Sequence, residues 1–279
     1  MKFITKKSEI VDSLQMGASI AERRQTIPIL ANLKIVAMDG KIEITATDLE
    51  IQLKTVSEVK EVIEEGETTV SARKMSELCR SLPDKEALEF NLNNGKLTVS
   101  SKNFHADFAT MSTLDFPELD TKEETEALSI ESKTLKRLLN KTAFCMASQD
   151  VRYYLNGLLV EYKEGNINAV ATDGHRLALA TSQLKEKIEE EGIRQIIPRK
   201  AVLELAKILR EDNSNISLSF GNSSLRIKDI NLDFSTKLID GKFPDYEKVL
   251  PAGEPDALGV SKDSLQSALT RASVLSNEK

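Results

Sequence analysis

Cysteine and histidine are scarce in this chain, with two of each in 279 residues. Cys79 and Cys145 stand alone with no C-x-x-C spacing, which excludes a disulfide framework and a paired-cysteine zinc site and leaves both as small buried hydrophobes. No apolar run approaches the roughly 18 residues that a membrane span requires. The opening Met1-Lys2-Phe3-Ile4-Thr5-Lys6-Lys7 is a short strand followed by polar residues, not the apolar core of a signal peptide, so the chain is placed in the cytoplasm. G-x-S-x-G, a phosphate-cradling glycine loop and H-E-x-x-H are all missing, so neither a metal nor a cofactor is expected. Asp173 and His175 are the one candidate catalytic pair. A histidine needs an orienting carboxylate and a nucleophile or metal, and residues two apart around Gly174 point in different directions, so the chain is not expected to be an enzyme.

The net charge is −6, which argues at first against a nucleic-acid partner. Its distribution says otherwise. Glu58 to Glu67 carries five Glu and one Lys, Asp115 to Glu126 six acids and one Lys, and Lys185 to Glu191 four Glu and two Lys. These stretches hold −11 between them, which leaves the remainder of the chain at +5. A chain that is acidic in sum can still be basic on one surface.

What the chain has is a repeat. Phe3 to Leu14 matches Leu128 to Leu139 at a displacement of 125, and Leu258 to Leu269 begins the pattern a third time. Each reads as a short strand, a polar helix start and an amphipathic helix. Ile29 to Val36 matches Tyr154 to Glu161, both read as strands entering hairpins. Ala72-Arg73-Lys74 matches Pro198-Arg199-Lys200 with Arg73 set on Arg199, and Phe108-Ala109-Thr110 matches Phe234-Ser235-Thr236. The run Ala171-Thr172-Asp173-Gly174-His175-Arg176-Leu177 has its own echo in Ala46-Thr47-Asp48-Leu49-Glu50-Ile51-Gln52. That echo makes the aspartate a turn former and His175 the part peculiar to the second copy. Matches in one order at nearly constant spacing define an α+β fold. Its modules each have two helices and about eight strands, the helices packed on antiparallel sheet, with an internal repeat of about 125 residues. The expected division is 1–125, 126–253 and 254–279, the last an incomplete third copy.

Basic residues gather on the helices. From Ser132 to Thr142, Lys133, Lys136, Arg137 and Lys141 form a stripe opposite Leu135, Leu138 and Leu139. From Lys200 to Arg210, Lys200, Lys207 and Arg210 oppose Val202, Leu203, Ala206 and Leu209. One such stripe is an ordinary solvated helix face. Repeated in equivalent positions, the stripes suit contact with phosphates without reading sequence. Gln149-Asp150-Val151-Arg152-Tyr153-Tyr154 holds two of the four tyrosines, which can stack on bases, or Tyr154 can start the strand and pack inward.

With these residues in hand, the chain resembles the bacterial DNA sliding clamp family, the beta subunit of DNA polymerase III. The resemblance covers nearly the whole chain. It rests on Thr26-Ile27-Pro28-Ile29-Leu30, on Gln149 to Gly157, on Ala171 to Ala178, on Ile197-Pro198-Arg199-Lys200 and on Asp240 to Tyr246. It implies tandem clamp domains, three to a subunit, and a homodimer ring closed head to tail. Such a ring encircles double-stranded DNA by nonspecific electrostatics and tethers the replicative polymerase, clamp loader and repair proteins as a processivity factor. By resemblance, Arg24, Arg73, Gln149, Tyr153, Tyr154, Arg199 and Lys200 contact DNA. Leu155, Thr172, Gly174, His175, Arg176, Leu177, Pro244 and Val249 form one share of a pocket for a partner peptide, and Lys74, Val274 and Leu275 belong to the ring interface. A full family member continues for most of one more repeat, so the chain is expected to lack most of a third domain, to be monomeric or weakly associated, and to hold DNA poorly. The competing expectation is a peptide-binding module that does not encircle DNA.

Overall fold

The computed structural model describes residues 1–21, 27–119, 127–184, 192–251, 253 and 258–276. The first copy runs β1 (Lys2–Lys6), α1 (Lys7–Ile20), β2 (Asn32–Met38), β3 (Lys41–Thr47), β4 (Ile51–Glu58), β5 (Glu61–Glu64), β6 (Gly66–Ser71), α2 (Ala72–Ser81), β7 (Ala87–Asn93), β8 (Lys96–Ser101) and β9 (Phe104–Met111). The second runs β10 (Leu128–Glu131), α3 (Ser132–Thr142), β11 (Gly157–Lys163), β12 (Asn166–Thr172), β13 (Leu177–Gln183), β14 (Arg194–Pro198), α4 (Arg199–Ile208), β15 (Asn215–Phe220), β16 (Ser224–Asp229) and β17 (Leu232–Lys237), and α5 (Lys262–Ser273) follows. All strand pairings are antiparallel. The α+β repeat is therefore in place.

The helices form where the sequence periodicity puts them and bury one face each. In α3, Leu135, Leu138 and Leu139 are buried, each such leucine adding about 1.5–3 kcal/mol by leaving water. In α4 the buried face is Ala201, Val202 and Leu205, while Leu203, expected inside, is exposed. Across β1 and β7, Phe3 and Phe90 stack with centroids 4.6 Å apart. Cys79 and Cys145 are free and buried, and burial pushes the Cys79 thiol up to about 12.

Three local expectations are corrected. Ile29 to Val36 and Tyr154 to Glu161 do not start as strands. Pro28–Ala31 and Tyr153–Leu155 are 3-10 turns, and the strands begin at Asn32 and Gly157. The Leu155 and Asn156 amides are used up inside that turn, bonding the Arg152 and Tyr153 carbonyls at 2.8 and 3.0 Å. The third start, Leu258 to Val260, forms no strand, although its helix does form. β1 and β10 exist because β7 and β15 pair with them, and no described residue plays that part for the third copy.

The third correction concerns register. Thr47 faces Gln52 as Thr172 faces Leu177, a displacement of 125. Leu33 faces Val70 as Leu158 faces Ile197, so β14 and α4 are displaced by 127. Phe3 faces Phe90 as Leu128 faces Leu218, a displacement of 128. The second copy therefore gains residues between β13 and β14 and between α4 and β15. Arg73 corresponds to Lys200, not Arg199, and Phe234 corresponds to Ala106, not Phe108.

By compactness the chain divides into Met1–Phe243 and Pro244–Lys279. The two copies do not separate, because β17 of the second pairs with β4 of the first, Phe234 opposite Leu53 and Asp233 opposite Lys54. That joint makes one sheet of thirteen strands, in the order β10-β15-β16-β17-β4-β3-β2-β6-β9-β8-β7-β1-β5. The remaining strands form β13-β12-β11-β14, and β13 ends that sheet without a partner strand among the described residues. In the Pro244–Lys279 unit, Ser261 Oγ caps α5 by accepting from the Ser264 amide, and no residue of α5 is buried.

Candidate nucleic-acid and peptide interfaces

The Thr-Asp turn is built identically in both copies. Thr172 Oγ1 donates to the Arg176 carbonyl at 2.8 Å and accepts from the Gly174 amide at 3.1 Å. Asp173 Oδ1 accepts from the His175 and Arg176 amides, both at 3.0 Å. In the first copy Thr47 Oγ1 donates to the Ile51 carbonyl and accepts from Leu49, and Asp48 Oδ1 accepts from Glu50 and Ile51. The third turn residue has positive φ in each, +74° at Leu49 and +89° at Gly174. The carboxylate is engaged by the backbone of its own turn. The His175 and Arg176 amides, with the Arg176 guanidinium, hold the Asp173 carboxyl down at about 2.

Beside this turn lies the loop before β11. Gln149 sits at φ +60°, and Asn156 ties the loop shut, its Oδ1 accepting from the Asp150 amide at 2.9 Å and its Nδ2 donating to the Asp150 carbonyl at 2.8 Å. Arg152 grips Asp150 through Nε at 3.0 Å and Nη2 at 2.8 Å, and this pairing holds the Asp150 carboxyl at about 2. Arg152 Nη2 also donates to the Asp173 carbonyl at 3.4 Å. A Cβ on Gly174 would stand only 3.1 Å from that nitrogen, so the bare glycine lets loop and turn meet. Leu155 is buried below them, Leu177 is half-buried, and the Arg176 guanidinium lies 5.8 Å from the centre of the exposed Phe144 ring. Six of the eight expected pocket residues, Leu155, Thr172, Gly174, His175, Arg176 and Leu177, thus share this corner. Pro244 and Val249 fall in the other compact unit, Val249 closing the 3-10 turn Tyr246–Val249.

The expected DNA contacts divide by what their charges already do. Arg73 is exposed and bonded to Glu77 one turn on, at 2.8 Å, and Lys74 beside it is exposed. Both line a groove of about 880 Å3 between α1 and α2 that also takes in Gln15, Ser19, Ser71 and Arg80. Tyr153 is 58% exposed and meets Tyr154 edge-on with centroids 5.9 Å apart. Arg199, by contrast, donates to the Met146 carbonyl at 2.8 Å. Lys200 pairs with Asp48 across the joint between the copies and donates to the Ile20 carbonyl at 3.4 Å. On the helix stripes, Lys136 pairs with Glu211 at 3.1 Å, Lys207 with Glu204 at 2.8 Å, and Arg210 with Asp229. Arg24 lies outside the described residues.

The DNA polymerase III beta subunit N-terminal domain matches residues 1–120, and the central domain of the same subunit matches residues 129–245. The beta sliding clamp of Pseudomonas putida is 39% identical over 280 residues, covering 100% of this chain and 76% of that protein. The Escherichia coli K12 beta sliding clamp is 36% identical over 279 residues with the same coverage. The chain belongs to the beta sliding clamp family. Among solved structures, the Pseudomonas aeruginosa clamp bound to griselimycin superposes with a TM-score of 0.93 at 37% identity, covering 100% of this chain and 75% of that one. The Bacillus subtilis clamp superposes at 0.90 with 28% identity.

Reading residues alone passed over the two side chains that organise this sliding clamp's second-copy corner, Arg152 and Asn156. The signal was present in Asp150-x-Arg152, which can close a local charged bond, and in an asparagine just ahead of a strand. The partner of Lys200, Asp48, is 152 residues away in sequence, beyond the reach of any local pattern. No described helix is long and apolar enough to cross a membrane.

Proposed function

We propose that this chain is a DNA polymerase processivity factor that performs no chemistry. It is a ring-forming subunit that surrounds duplex DNA and raises the effective concentration of polymerase at its template. The observation that carries the reading is similarity to beta sliding clamps over the whole of this chain and 76% of theirs, together with the repeated module and its strand-to-strand joint. The modules are 1–125 and 126–253, with 254–279 opening a third, and the protein works on the chromosome in the cytoplasm. Arg73, Gln149, Tyr153 and Tyr154, with Arg24, supply nonspecific contact to the DNA backbone and bases. Arg199 and Lys200 serve that surface by holding the Met146 loop and the Asp48 turn. Leu155, Thr172, Gly174, His175, Arg176 and Leu177 take the clamp-binding peptide of polymerase and loader subunits. Apolar walls suit an aliphatic or aromatic anchor, and the turn supplies polar contacts. Lys74, Val274 and Leu275 contribute to ring closure. The test is retention on nicked circular duplex. Retention that is lost when the circle is linearised, with longer products from the cognate polymerase, supports the proposal. Equal loss from circular and linear DNA, with unchanged product length, overturns it.

A further inference from the structure

The chain leaves α3 through the 3-10 turn Ala143–Cys145, which is fastened on three sides. The Met146 amide bonds the Ala143 carbonyl at 3.2 Å, the Ala147 amide bonds the Leu155 carbonyl at 3.0 Å, and Arg199 Nη1 donates to the Met146 carbonyl at 2.8 Å. Cys145 and Met146 are buried, while the same turn holds Phe144 in water, 59% exposed. A large aromatic side chain kept outside on so fixed a backbone adds little burial to the fold. What it does touch is a cation, the Arg176 guanidinium, 5.8 Å from the ring centre.

Arg176 is held from two directions. Its Nε donates to Asp173 Oδ2 at 3.0 Å, and the Phe144 ring lies within cation–π range of the guanidinium. Nη1 and Nη2 have no hydrogen-bond partner among the described residues. The other arginine of the corner is engaged differently, since Arg152 sets Nε and Nη2 on Asp150 and Nη2 again on the Asp173 carbonyl. One planar fork is therefore committed, and the other presents its terminal N–H groups in a geometry suited to carbonyl or carboxylate oxygens.

The repeat supplies an internal control. At the displacement of 125, Phe144 falls on Ser19 and Arg176 on Ile51. Ser19 bonds the Met16 carbonyl of its own helix at 2.8 Å, and Ile51, opposite Thr236 in the β4–β17 joint, is buried. The Thr-Asp turn is common to both copies, but the aromatic–arginine pair is confined to the copy whose corner gathers the six expected peptide contacts. A pair needed to build the turn would recur in both.

We propose that Phe144 is a positioning residue for partner docking: its ring fixes the Arg176 guanidinium so that the two terminal nitrogens meet oxygen atoms of the docked peptide. The inference rests on the peptide-docking reading of this corner and extends it to a residue outside the eight expected ones. Held by the ring and by Asp173 before the peptide arrives, the Arg176 side chain loses little rotamer freedom on binding, and that preorganisation is the source of the gain in affinity.

The test measures the affinity of the purified cognate polymerase for the unaltered chain, for Phe144→Leu, for Arg176→Met and for the double variant. Phe144→Leu is expected to weaken binding about threefold, the worth of an exposed cation–π contact, with the melting temperature unchanged. In the Arg176→Met chain the same substitution is expected to change nothing further. Phe144→Trp, which offers a cation a better ring, keeps at least the parent affinity. Unaltered binding by Phe144→Leu, or an equal loss with and without the Arg176 guanidinium, overturns the proposal and leaves the docking reading in place. A parent chain that does not bind the polymerase overturns the docking reading and this inference with it. If Phe144→Leu fails to fold, Phe144→Trp decides, since weaker binding by that variant overturns the proposal.

Discussion

The turns at Thr47–Ile51 and Thr172–Arg176 share their hydrogen bonds and their positive-φ third residue, yet one is a joint and the other an open corner. At the first, Asp48 receives Lys200, Glu50 receives the Lys237 amide, and β17 runs along the adjoining strand. At the second, the aspartate faces only its own Arg176, at 3.0 Å, and the neighbouring Arg152. The turn chemistry was kept in both copies, and what differs is occupancy. A surface that packs on the next module in one copy meets no other module among the described residues in the other.

Breaking the first turn has the largest expected effect. The Asp48 side chain is 9% exposed and holds two amides and Lys200, so Asp48→Ala leaves two orphaned donors and removes the partner of Lys200, costing about 2 kcal/mol. Asp173→Ala, in the open turn, costs less. Urea denaturation of the two variants side by side checks the contrast, and equal losses would remove it. Gly174→Ala comes next. It places a side chain at φ +89° and 3.1 Å from Arg152 Nη2, costing about 2 kcal/mol and displacing Arg152, visible as a drop in melting temperature and in peptide affinity.

Leu49→Gly sharpens the same comparison in the opposite direction. Releasing the strain at φ +74° gains about 1–2 kcal/mol, offset by about 0.5–1 kcal/mol of backbone entropy, so the variant melts slightly above the parent chain. Among the cations, Arg73→Ala lowers the slope of log binding constant against log salt by roughly one on duplex DNA of any sequence, with little change in stability. Lys200→Ala lowers stability instead. The smallest effect is on pH. The Asp173 carboxyl sits at about 2 in the folded chain against an ordinary 3.8, so the turn's contribution is fully present above pH 3.8 and is lost as pH falls through about 2. Side-chain carbonyl NMR shifts follow this directly, and a midpoint near the ordinary value would contradict the hydrogen-bonded turn.

Much of the fold was legible because it is local. Helix periodicity placed α3 to the residue, and the Thr-Asp echo gave the turn and its chemistry. The clamp-family motifs named the corner residues, six of which the second copy brings together. Register was harder to read. Phe108-Ala109-Thr110 resembles Phe234-Ser235-Thr236 in letters, but inserted residues upstream shift the true partner of Phe234 to Ala106, and only the cross-strand ladder records that. A basic helix stripe was equally ambiguous, because a lysine beside a phosphate surface and a lysine closing an ion pair look alike until the partner is known.

By itself the sequence determined the repeated α+β module, its helices, and the turn in which a threonine and an aspartate satisfy the backbone. Those depend on bonds among residues a few positions apart. The tertiary structure alone decided that Lys200 and Arg199 bond to other elements while Arg73 pairs within its own helix, that β4 is covered while β13 is an edge among the described residues, and that one Thr-Asp turn is a joint and the other a corner. Each of these is settled by ladders and ion pairs between residues far apart in the chain, whose meeting no local pattern encodes.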